Sequence, residues 1–512
     1  MEPTFRASMN WLHTWTGVVL GGLLFAIFWM GTLSVFDREI DRWMAPATRL
    51  VVPDDSLPAE KFRPAIEAAA AAGATMWTIV FPEERQPVYR ENYRSKDGFV
   101  LRFLDPVTGA ALPDPGTLAG TRFIFPFHYS LNLRVWDIGY WLVGIAGMAM
   151  LVLCVSGVVI HRKIFTEFFT FRAEKKPRRL ILDLHNVTGV LGLPFHFMIS
   201  LSGLIIFFSI YFPSVWQLPF DGKRELFNRE TWGNYSRPKA DQAAPLASLD
   251  DMVAEARRLW AGEEPFYMRV TNPGDAAAVV QIGRSYRDVV TMRVETLFFD
   301  APSGTLLSRF ETAPVVTAQR FISGLHFIQF QHWTLRWIYF ALGLVGCVLI
   351  ATGYLFWLES RRRKHTQLGL RGVSIVDGLT IGSVTGIIAA TLSFFVANRL
   401  LPADATVLGA GRASLEMWVF YLVWLATFAH AWMRPHRAWI EQCWAIAALA
   451  VAAVVLNGIT TGDHLGRSLL DSRLQAVGGM DLLLLIGAAV AALTALKLEY
   501  RKPDPVRARQ HA

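Results

Sequence analysis

Cysteine is scarce in this sequence. Three cysteines occur among 512 residues, and Cys154, Cys347 and Cys443 all lie inside apolar runs. Three scattered thiols in such runs exclude a disulfide framework and a cysteine-based metal site.

Several nucleotide and metal motifs are also absent. The chain has no Gly-x-Gly-x-x-Gly after a strand, no Gly-Lys-Ser/Thr phosphate loop and no His-Glu-x-x-His. These absences argue against a nicotinamide or flavin domain, an ATPase site and a zinc protease site.

Charge is low for a chain of this length. Charged residues make up 18% of the sequence, hydrophobic residues 53%, and the mean hydropathy is +0.32. Apolar runs long enough to cross a bilayer recur along the chain, which predicts a mainly α, polytopic membrane protein. The eight predicted spans are residues 11–36, 136–161, 184–212, 333–358, 374–397, 415–433, 438–457 and 480–498.

The basic residues set the predicted orientation. The net charge of +8 is concentrated in short clusters beside apolar runs, notably in 162–182, 359–373 and the tail from 497. The short loops 398–414 and 458–479 carry only two basic residues each. Because basic loops stay on the cytoplasmic side, we expect an inner-membrane protein with both termini inside.

Two long polar segments, 40–130 and 213–325, then lie outside, in a periplasm. Each reads as a small α+β unit, and each ends on a similar turn, Asp105 to Gly109 or Asp300 to Gly304. Aspartate opens such turns and glycine supplies the positive φ. The helix and strand patterns are Ala59–Ala72, Met76–Phe81, Val88–Tyr93 and Phe99–Leu104 in the first segment, and Leu249–Leu259, Phe266–Thr271, Ala278–Ile282 and Met292–Phe299 in the second.

The repetition continues into the spans. The sequence at His13 matches that at His185, and His128 and His326 occupy corresponding places before Gly157 and Gly353. Residues 1–360 therefore read as two parallel copies, which predicts a pseudo-twofold axis along the membrane normal. The predicted division is 1–39 first span, 40–130 first outer domain, 131–163 second span, 164–183 inner loop, 184–212 third span, 213–325 second outer domain, 326–360 fourth span, 374–498 a C-terminal four-span region and 499–512 an inner tail.

Histidine in a membrane span needs a polar or metal partner, so this set favours a functional role over plain interfacial hydrogen bonding. His13, His161 and His185 lie near the inner face, and His128 and His326 near the outer face. Two imidazoles can ligate haem iron, and the absence of Cys-x-x-Cys-His makes any haem non-covalent.

His196 adds a deeper candidate on the third span. It follows His185 by 11 residues, which places it roughly 16 Å deeper on nearly the same helix face. Such spacing stacks two haems across a membrane in b-type cytochromes. His128 and His161 are about 50 Å apart if the chain is helical throughout, so the ligand pairing stays open. Glycines in the four spans allow close packing around a cofactor or between helices.

The same residues resemble the PepSY-associated transmembrane family, which includes iron-regulated membrane proteins and ferric-siderophore reductases. The resemblance covers about residues 8–365. The matching pieces are Leu12-His13-Thr14-Trp15-Thr16-Gly17, Phe127-His128-Tyr129-Ser130-Leu131, Ser156-Gly157-Val158-Val159-Ile160-His161-Arg162-Lys163, Asp183-Leu184-His185-Asn186, Pro194-Phe195-His196 and Leu325-His326-Phe327.

This resemblance implies two PepSY-like outer domains and electron transfer through b-type haems to a periplasmic ferric siderophore. The implied ligands are His13, His128, His185 and His326, with His161 and His196 as further candidates. The donor, a quinol or a cytoplasmic reductase, is left open. The alternative is a non-redox protein whose PepSY domains bind peptide or regulate a protease, or a transporter. Residues placed to contact a chelate, or to act as interface anchors, are Phe125, Tyr129, Arg134 and Arg320.

Overall fold

The structure is a computed structural model that describes residues 4–96, 98–161, 177–235, 237–292, 295–328 and 330–500. Most of the predicted inner loop 164–183 and the end of the predicted tail lie outside the described residues. The main helices are α1 Phe5–Ser34, α2 Asp37–Met44, α3 Arg63–Ala71, α4 Phe125–Ser130, α5 Ile138–Ile160, α6 Pro177–Ile206, α7 Arg224–Trp232, α8 Leu249–Leu259, α9 Pro314–Phe327, α10 Trp333–Gln367, α11 Gly372–Ile381, α12 Ile387–Leu400, α13 Arg412–Met433, α14 Ala438–Thr461, α15 Leu465–Leu470 and α16 Gln475–Glu499. The strands are β1 Met76–Val80, β2 Tyr89–Ser95, β3 Gly98–Leu104, β4 Pro265–Thr271, β5 Val279–Arg284, β6 Thr296–Asp300, β7 Leu306–Phe310, β8 Thr406–Val407 and β9 Ala410–Gly411.

The chain folds as two compact units. The helical unit comprises Met1–Pro46, Pro115–Leu201 and Trp333–Ala512, and the sheet unit comprises Ala47–Asp114 and Ser202–His332.

Seven helical segments among the described residues are long and apolar enough to cross a membrane. The predicted span at 415–433 is a helix, α13, but is not among these seven because its sequence is less apolar. The predicted fold class, a mainly α polytopic membrane protein with an α+β sheet region, is confirmed. The seven segments are Phe5–Ser34, Val135–Ile160, Arg178–Ile206, Trp333–Gln367, Gly372–Leu400, Ala438–Thr461 and Ser472–Glu499.

The C-terminal helices share one core with the first span. Phe25 and Met30 of α1 are buried in the same apolar cluster as Phe394 of α12 and Val477 of α16. A hydrogen bond of 2.7 Å from Trp43 Nε1 to Asp481 Oδ1 joins α2 to α16 inside this core. Since a buried carboxylate must be hydrogen-bonded, this contact fixes the last span against α2.

The sheet unit contains the strands of both polar segments in one antiparallel sheet of order β3-β2-β1-β4-β5-β6-β7. The equivalent strands β1 and β4 pair at the centre, with Met76 opposite Thr271 and Val80 opposite Tyr267. The two predicted α+β segments therefore join edge to edge around a local twofold, and the repeat read from the sequence is present in this unit.

Reciprocal helix capping reinforces that join. Glu60 Oε1 accepts the backbone N–H of Leu249 at 2.7 Å, and Asp250 Oδ1 accepts that of Ala59 at 2.5 Å. Each carboxylate satisfies an N-terminal donor that lacks a partner within its own helix. The two copies are thus held together by hydrogen bonds as well as by the sheet.

The predicted turns also form. Asp105 Oδ1 accepts the N–H groups of Val107 and Thr108, and Gly109 has φ +74°. Gly304 of the second copy has the same φ of +74°.

Candidate functional site

The centre of the candidate site is a pair of histidines in the helical unit. His13 lies on α1 and His185 on α6, with ring centroids 6.4 Å apart and ring planes at 82°. Two imidazoles on opposite sides of one metal ion have ring centres about 6 Å apart, given metal–nitrogen bonds of about 2 Å. The pair therefore has the separation expected of two axial ligands to one iron.

Hydrogen bonds fix the tautomer of both rings. Ser156 Oγ donates to Val152 O at 2.6 Å, so it accepts the Nδ1–H of His13 at 3.0 Å. The Nδ1–H of His185 donates to Leu349 O at 3.0 Å. A carbonyl can only accept, so both rings carry their proton on Nδ1 and leave Nε2 as the ligand atom.

A glycine accompanies each of these rings. A Cβ at Gly157 would lie 3.4 Å from Cε1 of His13, and one at Gly353 would lie 3.2 Å from Cε1 of His185. The two glycines are equivalent in the repeat, so α5 and α10 approach the histidines in the same way. Any larger residue would press on the imidazole.

The pair lines a cavity of about 410 Å³ enclosed by α1, α5, α6 and α10. This volume falls within the range of about 300–1,000 Å³ that is usual for cofactor sites. Glycines and aliphatic side chains form much of its wall, as a flat apolar macrocycle requires. These residues include Gly17, Gly21, Gly157, Gly189, Gly353, Leu24, Leu153, Leu182, Val190, Leu193 and Ile350.

One end of the cavity is basic. Arg6, Arg179 and Arg361 line it together with His161, which ends α5. Arg6 donates to Ile160 O at 2.8 and 3.1 Å. A group with carboxylates at one edge would find complementary charge at this end.

His196 lines the same cavity, farther along α6. Its side chain is fully buried, its Nε2 donates to Leu342 O at 3.3 Å and its ring lies edge-on to Phe28. Nδ1 is a buried acceptor without a hydrogen-bond partner among the described residues. The predicted shared face of His185 and His196 is present, but the ring contacts of His196 in the described chain are with Phe28 and Phe195.

The two outer histidines occupy equivalent environments, each in its own unit. In the helical unit, the Nδ1–H of His128 donates to Ile27 O at 2.9 Å. A Cβ at Gly31 would lie 2.6 Å from its Cε1. In the sheet unit, His326 Nδ1 lies 3.3 Å from Ser202 Oγ, and a Cβ at Gly203 would lie 2.8 Å from its Cε1.

The side chains available as metal ligands limit which cofactor the cavity could hold. Among the described residues, no cluster of three or more His, Cys, Asp or Glu side chains could hold a bare metal ion. Two imidazoles at this separation suit an iron whose other ligands come from a macrocycle. The cavity and the His13–His185 pair thus fit a bis-imidazole haem.

Comparison with known proteins assigns the chain to a protein family. A model of the PepSY-associated TM region matches residues 10–360. The chain belongs to the PepSY-associated TM family. It is also 28% identical over 369 residues to an uncharacterized protein of Pseudomonas aeruginosa, covering 68% of this chain and 88% of that relative.

The family region contains all six histidines predicted from the sequence. The structure brings together His13, His185, His161 and His196 around one cavity of this PepSY-associated TM protein. Helices α11 to α16 lie beyond the matched region, so the family match leaves their role unassigned.

Sequence reasoning missed the partners of these histidines. Ser156 and Thr352 stand at equivalent places in the repeat, and each has its hydroxyl near Nδ1 of a histidine, at 3.0 Å from His13 and 3.4 Å from His185. The signal was the hydroxyl residue that precedes Gly157 and Gly353 in both copies. Arg6, Arg179 and Arg361 carried no such signal, since only the packing of four helices places them at one end of the cavity.

Proposed function

We propose that this PepSY-associated TM protein is an inner-membrane b-type dihaem oxidoreductase that passes electrons to a ferric siderophore in the periplasm. The observation that carries the proposal is the 6.4 Å separation of His13 and His185 within a glycine-lined cavity. Haem b would be held there by His13 and His185 and would supply a one-electron redox couple, which suits electron transfer.

The residues of this chain divide the work of holding the cofactor. His13 and His185 offer Nε2, while Ser156 and Leu349 hold the rings in the required tautomer. The basic end of the cavity, which includes Arg6, matches the carboxylates that a b-type haem carries on one edge.

Orientation follows from the basic loops. With 359–373 in the cytoplasm, the basic end of the cavity is cytoplasmic and the sheet unit is periplasmic.

The acceptor is proposed from the family resemblance and from iron chemistry. Fe(III) is a hard ion that oxygen donors hold tightly, and Fe(II) binds such donors more weakly. One electron therefore releases the metal from a siderophore.

Haem content tests the first part of the proposal. Purified protein from cells supplied with iron should show a b-type spectrum and approach two haems per chain by pyridine haemochrome analysis. His13→Ala and His185→Ala should each lower the haem content. Single replacements then identify the remaining haem ligands among His128, His161, His196 and His326. His464→Ala is the control, because His464 caps the short helix α15. A colourless wild-type protein would refute the proposal.

Acceptor specificity tests the second part. Dithionite-reduced protein, freed of excess reductant, is mixed anaerobically with ferric siderophores in the presence of an Fe(II) chelator. Reoxidation of the visible spectrum with stoichiometric Fe(II) supports the proposal. Reoxidation by quinones but by no ferric complex would identify a quinone-linked cytochrome instead.

A further inference from the structure

A second cavity lies in the helical unit, on the other side of α1 from the histidine pair. Its volume is about 400 Å³, and its wall comes from α1, α4, α10, α11 and α13 together with the π-helical turn Gly382–Gly386 that follows α11. Helices α11 and α13 lie outside the region matched by the family. The cavity is therefore built partly by the helices that have no counterpart in the repeat.

Five of the fourteen residues that line this cavity are aromatic, and most of the others are aliphatic. Phe127, Tyr354, Tyr421, Trp424 and Phe428 all contribute to the wall. Their faces and edges favour a flat ring over a saturated chain, since aromatic pairs gain energy beyond the area they bury.

A polar group interrupts the apolar wall at the π-helical turn. Ser383 lies in that turn, is buried, and lines the cavity. Among the described residues its hydroxyl makes no hydrogen bond, while Trp424 Nε1 donates to the neighbouring Gly382 O at 3.0 Å. Single π-helical turns recur at functional sites because they re-aim side chains and carbonyls. Ser383 Oγ is thus available to a ligand oxygen.

The cavity opens toward the apolar surface of the helices. Val19, Leu133 and Leu379 line it and are also 69%, 49% and 37% exposed. Val19 and Leu379 belong to helical segments apolar enough to cross a membrane, so this exposed surface faces lipid. A ligand dissolved in the bilayer would enter here without passing through water.

Tyr354 and Val18 form the wall shared by the two cavities, since both residues line each of them. Tyr354 Oη donates to Val18 O at 3.1 Å, and its ring packs on α1 where a Cβ at Gly21 would lie 2.7 Å from Cε2. The first copy of the repeat has Val158 at the place of Tyr354. The phenol thus appears only in the copy whose span packs beside α11.

We propose that this second cavity binds a lipid-soluble quinol that donates electrons to the haem on His13 and His185. The inference rests on the proposed function and names its donor. A quinol hydroxyl would meet Ser383, its ring the aromatic wall, and its apolar tail the opening to lipid. Each quinol would release two protons to water and give two electrons, one at a time, to the redox centre held by His13 and His185, and it would leave as the quinone. One quinol therefore accounts for two Fe(III) reduced.

A matched pair of substitutions tests the site. Leu379→Trp places an indole at the mouth of the cavity, whereas Ile375→Trp places one on the exposed face of the same helix, one turn earlier and outside the cavity. Stopped-flow spectroscopy follows haem reduction by decylubiquinol or a short-chain menaquinol without oxygen. Leu379→Trp should slow quinol-driven reduction by about tenfold or more, because a filled pocket rejects the substrate ring. Ile375→Trp should match the wild type, and both variants should keep full reduction by dithionite.

Two further measurements keep the proposal separate from the proposed function. Ser383→Ala should raise the quinol KM more than it lowers kcat, since it removes a ground-state contact. A photoreactive azidoquinone should label peptides of α11 or α13, and Leu379→Trp should suppress that labelling whether or not haem is present.

Equal quinol rates in Leu379→Trp and the wild type, or labelling elsewhere, would overturn the inference and indicate a lipid-filled cavity. If dithionite reduces the protein and a ferric siderophore reoxidises it while no quinol reduces it, the donor is wrong and the function stands. If the protein contains no haem, the proposed function is wrong, and the azidoquinone labelling still shows whether the second cavity binds a quinone.

Discussion

The hydroxyls of Ser156 and Thr352 lie near Nδ1 of the two proposed haem ligands, His13 and His185. Ser156 holds the Nδ1–H of His13, whereas the same nitrogen of His185 donates to Leu349 O and lies farther from Thr352. The first histidine therefore depends on its hydroxyl more than the second does.

Ser156→Ala should weaken haem retention by about tenfold, because a hydrogen-bond partner of a ligating histidine contributes about 10–100-fold in affinity. Ser156→Thr should restore retention, since threonine serves at the equivalent place in the second copy. Thr352→Val should have the smaller effect. Haem-to-protein ratios after dialysis against apomyoglobin measure the loss. If Ser156→Ala and Thr352→Val behave alike, the hydroxyl is not the partner that matters.

Glycine at position 353 makes room for the imidazole of His185. A Cβ there would lie 3.2 Å from Cε1, and the neighbouring Nδ1 of the ring is already held by a hydrogen bond to Leu349 O. Gly353→Val should therefore displace the ring and reduce bound haem by about tenfold or more.

Gly487→Val on α16 is the matched control, because a Cβ at Gly487 would meet nothing within 4 Å. Absorbance of the two purified variants, normalised to protein, gives the comparison. Equal haem in both would mean that the ring can shift without losing its ligand.

At the scale of elements, the caps between the 3-10 turn Ala59–Phe62, which precedes α3, and the start of α8 make the stability of the sheet unit depend on pH. The hydrogen bond from Arg63 lowers the pKa of Glu60 from its ordinary value of 4.5, with a further contribution from the N–H of Leu249. A carboxyl with a lowered folded-state pKa stabilises the fold above its ordinary pKa. That stability is lost as the pH falls through the folded-state value.

Glu60→Gln should therefore flatten the loss of stability on acidification from about pH 7 to about pH 3. Hydrogen exchange of the α3 and α8 peptides in the full-length protein, corrected for intrinsic rates, measures it. Glu67→Gln serves as the control because Glu67 is an exposed carboxylate on α3, directly after the 3-10 turn Ala59–Phe62 that contains Glu60. A pH dependence unchanged in Glu60→Gln would place the acid-sensitive group elsewhere.

At the scale of the whole molecule, the proposed orientation predicts where the chain is accessible. The three native cysteines are buried, so single cysteines can be introduced with little background labelling. A cysteine at Arg178 should react only with a membrane-permeant maleimide in intact spheroplasts, and one at Asp251 should also react with an impermeant reagent. Identical labelling at the two positions would contradict the topology.

Much of the architecture could be read from the sequence because repeats and hydropathy are local signals. Apolar runs of membrane length predict α1, α5, α6 and α10. The matching sequences around His13 and His185 predict that α1 and α6 are equivalent in the repeat. The span predicted at 415–433 is the exception, since α13 forms but contains polar and aromatic residues that lower its mean hydropathy.

The candidate ligands were also visible in the sequence, since a histidine in an apolar run costs free energy unless it has a partner. Their pairing was not, because the distance between α1 and α6 depends on how four helices pack. Likewise, the sequence patterns predicted strands in each polar segment. Only the structure shows that β1 and β4 pair, with Met76 opposite Thr271, and so join the two segments in one sheet.

By itself, then, the sequence determined the spans, the twofold repeat and the set of histidines, since each is written in residues close along the chain. Tertiary structure alone decided that the rings of His13 and His185 lie 6.4 Å apart, that three arginines line one end of their cavity, and that Tyr354 lies between two cavities. These contacts join residues more than a hundred positions apart. The distances between them depend on how side-chain volumes pack between helices, which a local sequence pattern cannot predict.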